Sequence, residues 1–169
     1  MNINIITLFP EIFEALNYGL LGQAINREDI KINIFNLRKH QINKHGQVDD
    51  KQYGGGQGMV LMAEPLEKSI KDIPADILGK VINLSPQGNL LNHDKSKELS
   101  SLESITIISG RYEGIDERFI SQYVDEEISI GDFVLSGGEF AALSLIDSLS
   151  RFIPGAVSYT HLRAHETQF

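Results

Sequence analysis

Hydrophobic and polar positions alternate along several short segments of the chain, which is the pattern of β-strands. The clearest are NINIIT at residues 2–7, KINIFNL at 31–37 and the strongly β-branched SITIISG at 104–110. A fourth segment, GKVINLSPQG at 79–88, is apolar and then runs into a turn. β-branched residues favour strands, so each segment predicts one strand.

Between these segments, apolar residues recur at helical spacing. Pro10 suits the first turn of a helix that continues through Ile12, Phe13, Leu16 and Leu20. Further helices are predicted over 64–73, from a cap at Asn92, near 116–123 and over 140–152. Alternation of strand and helix predicts an α/β fold, with a mainly parallel sheet flanked by helices on both faces.

Length and composition are those of one globular domain: 169 residues, 41% hydrophobic and 22% charged. No apolar run is long enough for a membrane span, and the start of the chain lacks the pattern of a secretory signal, so a bacterial-type cytoplasm is the expected location, with no membrane partner. The absence of cysteine excludes disulfides and thiolate metal sites. The net charge of −8 argues against indiscriminate nucleic-acid binding. Charge is uneven, however: 38–51 is mostly basic, whereas 111–132 is acidic.

Three predicted strands end in glycine-bearing turns: LSPQG (84–88), SGRYEG (109–114) and SIGDFVLSGGE (129–139). Ligands of parallel α/β proteins bind at the carboxyl ends of the strands. Any one of these turns has an ordinary explanation as a tight turn, but three together with YGGGQGM (53–59) favour a ligand site. Glycine allows a ligand to approach the backbone closely.

Sequence motifs exclude several ligands and reactions. The string GxxxxGK[ST] and a GxGxxG after the first strand are both missing, which removes NTP hydrolysis and NAD binding. Neither HExxH nor GxSxG occurs. A backbone-lined pocket for a neutral or zwitterionic cofactor remains, such as a nucleoside with an amino-acid tail.

YGGGQGM, LSPQG, SGRYEGIDER and IGDFVLSGGE, in this order and spacing, resemble the bacterial tRNA (guanine-N1)-methyltransferases, the TrmD family of the SPOUT superfamily. The resemblance covers residues 1–157, including the opening LFPEIF and the closing DSLSRFIPG. It implies a deep trefoil knot, S-adenosylmethionine as cofactor, a homodimer, and methyl transfer to N1 of the guanine 3′ to the anticodon of tRNA. The residues implied to line the cofactor are Leu84, Ser85, Pro86, Gly110, Tyr112, Glu113, Ser129, Ile130, Gly131, Phe133, Leu135, Gly137 and Gly138.

The resemblance also implies two catalytic residues. Methylation at N1 needs a base for its proton and a cation for charge that gathers on O6. Arg151 matches the family's arginine for O6, and Glu113 matches a glutamate tied to catalysis and to a magnesium ion. Without the resemblance, Arg151 would be interpreted as a cation at the end of a helix, and Glu113 as a solvent-exposed acid in a turn.

The polar loop between the second strand and the 64–73 helix resembles the family's segment that meets tRNA around the target base. Its matching residues are His45, Asp49, Asp50, Tyr53, Gly54 and Gly55. Lys44 and Lys51 are candidates for phosphate contacts. Gln52 and Gln57 stand where the family commonly has proline, so the rigidity of the loop departs from the pattern.

After Val157 the resemblance ends, and SYTHLRAHETQF resembles the translated frame of a sequencing adapter. We therefore expect residues 158–169 to be non-native; a divergent native tail is the alternative. The family continues with a linker that carries the catalytic aspartate and with a tRNA-binding domain, so we expect this chain to bind the cofactor but to methylate weakly or not at all. Two alternative functions are considered. The first is a related methyltransferase that acts on another RNA base, which should lack HGQVDDKQYGGG. The second is a non-catalytic module that binds the cofactor.

Overall fold

A five-stranded parallel sheet forms the centre of the fold, in a computed structural model that describes residues 1–52 and 54–156. Its strand order is β2, β1, β6, β5, β7, and every neighbouring pair is parallel, which confirms the predicted fold class. The strands are β1 (Asn2–Thr7), β2 (Lys31–Asn36), β5 (Lys80–Leu90), β6 (Ser104–Ile108) and β7 (Glu126–Ser129). A separate antiparallel hairpin joins β3 (Asp49–Lys51) to β4 (Met59–Leu61).

Helices cover both faces of the sheet, as predicted. They are α1 (Gly19–Asn26), α2 (Ala63–Lys71), α3 (Ala75–Leu78), α4 (His93–Ser100), α5 (Glu117–Tyr123) and α6 (Gly138–Ser150), with 3-10 helices at Pro10–Asn17 and Leu37–His40. Neighbouring residues of β1 enter opposite cores: Ile5 packs in the cluster that contains Leu145, and Ile6 in the one that contains Phe119. Among the described residues, no helix has the length and apolar character that a membrane span requires.

The structure corrects two local predictions. The helix predicted from Pro10 through Leu20 is divided, because Gly19 has φ +67° and a new helix starts there. The loop predicted from Arg38 to Gly58 contains the end of a 3-10 helix and strand β3. By contrast, the predicted cap is confirmed: the Asn92 side chain accepts a hydrogen bond of 2.8 Å from the Lys95 backbone amide.

A group of four charged residues lies at the start of β5 and β7, the edge opposite the glycine turns. Glu126 lies 2.6 Å from Lys80 and 3.0 Å from Lys95, and Glu98 lies 2.9 Å from Lys95. Burial would raise the pKa of Glu126, but hydrogen bonds from the two lysines outweigh it and hold the pKa below its usual 4.5. The group therefore favours the folded state while Glu126 is ionised.

This lowered pKa predicts a loss of stability in acid. Above the ordinary pKa of Glu126 the stabilisation is fully present, and it is lost as pH falls through the lower folded-state pKa. In Glu126→Gln we expect the free energy of unfolding to fall less steeply between about pH 6 and about pH 3. Urea unfolding of both proteins across that range measures the slopes; equal slopes would contradict the assignment.

Candidate active site

The three glycine turns line one cavity of about 540 Å³ at the carboxyl edge of the sheet. They meet because their strands, β6, β5 and β7, are neighbours, so the predicted convergence is confirmed. Every residue that the sequence assigns to the cofactor, from Leu84 to Gly138, lines this cavity. Its volume lies within the usual range for small-molecule sites.

The first wall of the cavity is an interruption in β5. Leu84 and Asn89 of β5 both pair with Ile128 of β7. Residues 85–88 between them therefore lie outside the ladder of paired residues. The Ser85 hydroxyl accepts a hydrogen bond from the Gln87 backbone amide at 3.3 Å, which shapes the excursion. A bulge of this kind turns backbone groups toward a neighbouring site.

The second wall, residues 109–114, carries Tyr112 and Glu113. Tyr112 has φ +61°, an uncommon backbone conformation for a residue with a side chain, and is about half exposed. Partial burial and then the nearby Asp49 raise the pKa of Tyr112, while Arg38 and Arg111 oppose them. A strained residue in a cavity wall is a frequent mark of a functional site.

Strand β4 is bound to this second wall through the backbone. The Glu113 amide donates to the Met59 carbonyl at 2.9 Å, and the Leu61 amide donates to the Gly114 carbonyl at 3.0 Å. Gly58 has φ +95°, and a Cβ there would lie 2.3 Å from Cγ of Glu113. The last glycine before β4, Gly58, therefore lies directly against Glu113.

The described residues among those predicted to meet tRNA lie outside the main cavity. His45 is exposed in a turn closed by the Ile42–Gln47 bridge, and Asp50 borders a smaller pocket of about 400 Å³ next to β4. Asp49 is half buried in β3, and Gly54 and Gly55 are exposed. Tyr53 and residues 158–169 lie outside the described residues, so the predictions for them stay predictions.

Arg151 is not brought to the cavity of its own chain. It follows the last turn of α6, whose first residue, Gly138, lines the cavity, and the helix is about 20 Å long. The Arg151 guanidinium lies 3.8 Å from Asp147 and is partly exposed. Its predicted role at the reacting base therefore requires a second molecule of the chain.

The donors around Glu113 fit a metal ion poorly. Within residues 1–52 and 54–156, no three histidine, aspartate or glutamate side chains are grouped as ligands. Magnesium prefers six oxygen ligands in near-octahedral geometry. The magnesium ion implied by the resemblance thus finds no preformed set of side chains.

Sequence reasoning missed three residues of the cavity region: Asn83, Arg111 and Glu139. Asn83 is buried in β5 just before the interruption and donates to Glu127 at 2.8 Å, and its Oδ1 atom has no hydrogen-bond partner among the described residues. Arg111 lies inside the quoted SGRYEG, but nothing in the sequence indicates its partner. Glu139 is fully buried, although an acid in the first turn of a helix usually faces solvent.

The fold and the cavity define a parallel α/β protein with a cavity of small-molecule size at the carboxyl edge of three adjacent strands. The family model described as tRNA (Guanine-1)-methyltransferase TrmD matches residues 1–168. The chain belongs to this family.

Individual relatives agree with the family. A tRNA (guanine-N(1)-)-methyltransferase of Clostridium novyi is 48% identical over 94% of this chain and 65% of its own length. One from Francisella philomiragia is 50% identical over 91% of this chain and 62% of its own. The crystal structure of tRNA (m1G37) methyltransferase from Aquifex aeolicus is 41% identical, with a TM-score of 0.82 over 94% of this chain and 72% of that one. The chain spans about 65% of the length of the Clostridium relative.

Proposed function

We propose that this chain takes part in the transfer of a methyl group from S-adenosylmethionine to N1 of the guanine 3′ to the anticodon of tRNA. One observation carries the proposal: three loops from adjacent strands line a single cavity, with Gly58 packed against Glu113 at its wall. The relatives, tRNA (guanine-N(1)-)-methyltransferases, support the reaction. Such a reaction belongs in the cytoplasm.

The charges of the cavity suit S-adenosylmethionine. This cofactor carries a sulfonium and an ammonium group against one carboxylate, so its net charge is positive. Four acids line the cavity, against two arginines and no lysine: Glu113, Asp116, Glu117 and Glu127 against Arg111 and Arg118. Cations are attracted to a cleft of this sign. A triphosphate nucleotide, which shares the adenosine group, would be repelled.

The cofactor, when bound, supplies a methyl group on sulfur, whose bond to sulfur breaks as the bond to N1 forms. The work of the protein is to orient the guanine and to manage its charge, because the N1 proton must leave and charge gathers on O6. We assign to Glu113, at the cavity wall, the orientation of the guanine. We assign to Arg151 the stabilisation of the charge that gathers on O6. The N1 proton would pass to a general base outside the described residues, the aspartate that the family resemblance implies in the linker after this domain, and no step uses a metal.

We infer that the working unit is a homodimer, because Arg151 does not reach the cavity of its own chain. Large apolar side chains are exposed in one stretch at the cavity: Phe133, Val134 and Leu135 in the loop that lines it, and Phe140 in the first turn of α6 next to it. Contiguous exposed apolar residues mark interaction surfaces. A second copy that covers this stretch is the partner that would supply Arg151.

We propose that tRNA approaches over the segment from His45 to Gly55. Exposed Lys44 and Lys51 would contact phosphates, and the glycines leave room for a nucleotide to approach the backbone. The net charge of −8 makes these few cations important, because the rest of the surface repels RNA.

Calorimetric titration of the 169-residue chain with S-adenosylhomocysteine tests the proposal. We expect saturable binding of S-adenosylhomocysteine and none of ATP, since ATP shares the adenosine but carries the opposite charge. Transfer of labelled methyl from S-adenosylmethionine to tRNA, with adenine in place of the target guanine as control, then reports the reaction. Absence of binding would overturn the proposal. Weak or no transfer by the 169-residue chain alone is the expected result, whereas binding without any transfer after a family-like C-terminal segment is added would leave a cofactor-binding module.

A further inference from the structure

A buried ion pair connects two walls of the cavity, and the reaction proposed above does not use it. Glu139, in the first turn of α6, has 0% of its surface exposed. Its Oε1 accepts a hydrogen bond of 3.2 Å from the Thr7 hydroxyl, and its Oε2 lies 3.0 Å from Nε of Arg111. The last two atoms are in ionic contact but are not aligned for a hydrogen bond. A buried carboxylate needs such partners, because isolated charges are rarely tolerated away from water.

Arg111 touches three separate parts of the chain. Its guanidinium lies 4.5 Å from the centroid of the Phe9 ring, just after β1, in a cation–π contact. Its Nη1 donates to the Ser136 carbonyl at 3.2 Å, in the loop before α6. Its third contact is Glu139 in α6 itself. Because Arg111 stands between Gly110 and Tyr112, these contacts locate the 109–114 wall relative to the 130–137 loop.

The position of the Arg111–Glu139 pair favours a role in placing the loops relative to each other over a role in stability. A buried ion pair is weak evidence for stability, since its desolvation cost offsets most of the attraction. The planar guanidinium contacts Glu139, Ser136 and the Phe9 ring at the same time, and these three contacts together restrict its orientation. The charge of Arg111 is engaged by Glu139, and this side chain is therefore poorly placed to hold an RNA phosphate.

We propose that Arg111 is a positioning residue: through Glu139 and Ser136 it sets the separation of the two loops that enclose the cofactor. This inference rests on the proposed function, because the cofactor is the ligand that would sense the separation. It predicts that loss of the Arg111 side chain weakens cofactor binding by more than its effect on stability explains.

The test compares S-adenosylhomocysteine affinity and melting temperature in four forms of the 169-residue chain. In Arg111→Ala we expect affinity at least about tenfold weaker, which corresponds to about 1.4 kcal/mol. The affinity of Arg111→Lys should lie between those of the wild type and Arg111→Ala, because lysine keeps the charge near Glu139 but lacks the planar, rigid guanidinium group. Lys80→Ala is the matched control: it breaks the ion pair with Glu126 at the opposite edge of the sheet, so it should lower the melting temperature and leave affinity unchanged.

Chemical rescue separates positioning from general destabilisation. Guanidinium ion at a non-denaturing concentration should recover part of the affinity of Arg111→Ala and leave Lys80→Ala unchanged. Wild-type affinity in Arg111→Ala would overturn the inference, and so would equal weakening in Lys80→Ala. If Arg111→Ala does not fold, Arg111→Lys is the test variant, and wild-type affinity in Arg111→Lys would overturn the inference. Failure of the wild-type chain to bind would instead overturn the proposed function itself.

Discussion

Gly138→Ala is expected to lower the free energy of unfolding by about 2 kcal/mol and to weaken S-adenosylhomocysteine binding at least about tenfold. A Cβ at Gly138 would lie 2.8 Å from the Gly110 nitrogen and 2.9 Å from Cα of Ser109. Both are backbone atoms, so the start of α6 or the end of β6 must move. The hydrogen bond of 2.8 Å from the Gly138 amide to the Gly110 carbonyl would be strained by that movement.

The sign of this effect is informative, because helix propensity alone predicts the opposite. Alanine is about 1 kcal/mol more favourable than glycine in a helix interior, and the preference has the same sign but is weaker at the first position, where Gly138 lies. Gly110→Ala is the matched control: a Cβ there would lie 3.6 Å from the nearest atom, in the Ile115 side chain, so stability should change little. Urea unfolding and calorimetry measure both quantities. A more stable Gly138→Ala would show that α6 does not cross this close to Gly110 in solution.

Phe140→Asp is expected to convert the proposed homodimer into a monomer while leaving the fold intact. Phe140 is 56% exposed in the single chain, so the substitution removes little buried surface within it. In a dimer interface, the new carboxylate would be buried without a partner, which is strongly unfavourable. Sedimentation equilibrium measures the mass, with 18.8 kDa for one chain.

Ile34→Asp provides the control for this change. Ile34 is 40% exposed on β2, the edge strand of the sheet, and undergoes the same replacement of an apolar side chain by a carboxylate. The dimer should persist in this variant. If Ile34→Asp dissociates the dimer and Phe140→Asp does not, two copies pair through the sheet edge, and the route proposed for Arg151 fails.

The sheet and the location of the site could be predicted from the sequence, because their physical signals are local. β-branched alternation marks β1, β2 and β6, and a parallel sheet brings the carboxyl ends of adjacent strands together. The family resemblance then assigned residues to a cavity that, in the structure, all of them line. The trefoil knot and the individual roles of these residues stay predictions.

Features that depend on distant parts of the chain could not be predicted. The pairing of Arg111 with Glu139 depends on how α6 crosses the end of β6, and a single acid in a first helical turn gives no signal of burial. The distance of Arg151 from the cavity follows from the length and direction of α6. The β3–β4 hairpin is only three residues long on each side, too short for a period to be seen in a polar loop.

Because β5 is interrupted, the shape of the cavity can change without a change in the register of the sheet. Ile128 pairs with β5 on both sides of residues 85–88, so the ladder closes beneath the excursion. An insertion or deletion within the excursion would change its reach while both halves of β5 keep their partners. The wall formed by Ser85 and Pro86 is therefore a part of this chain whose length can change without a shift of β5 against β7.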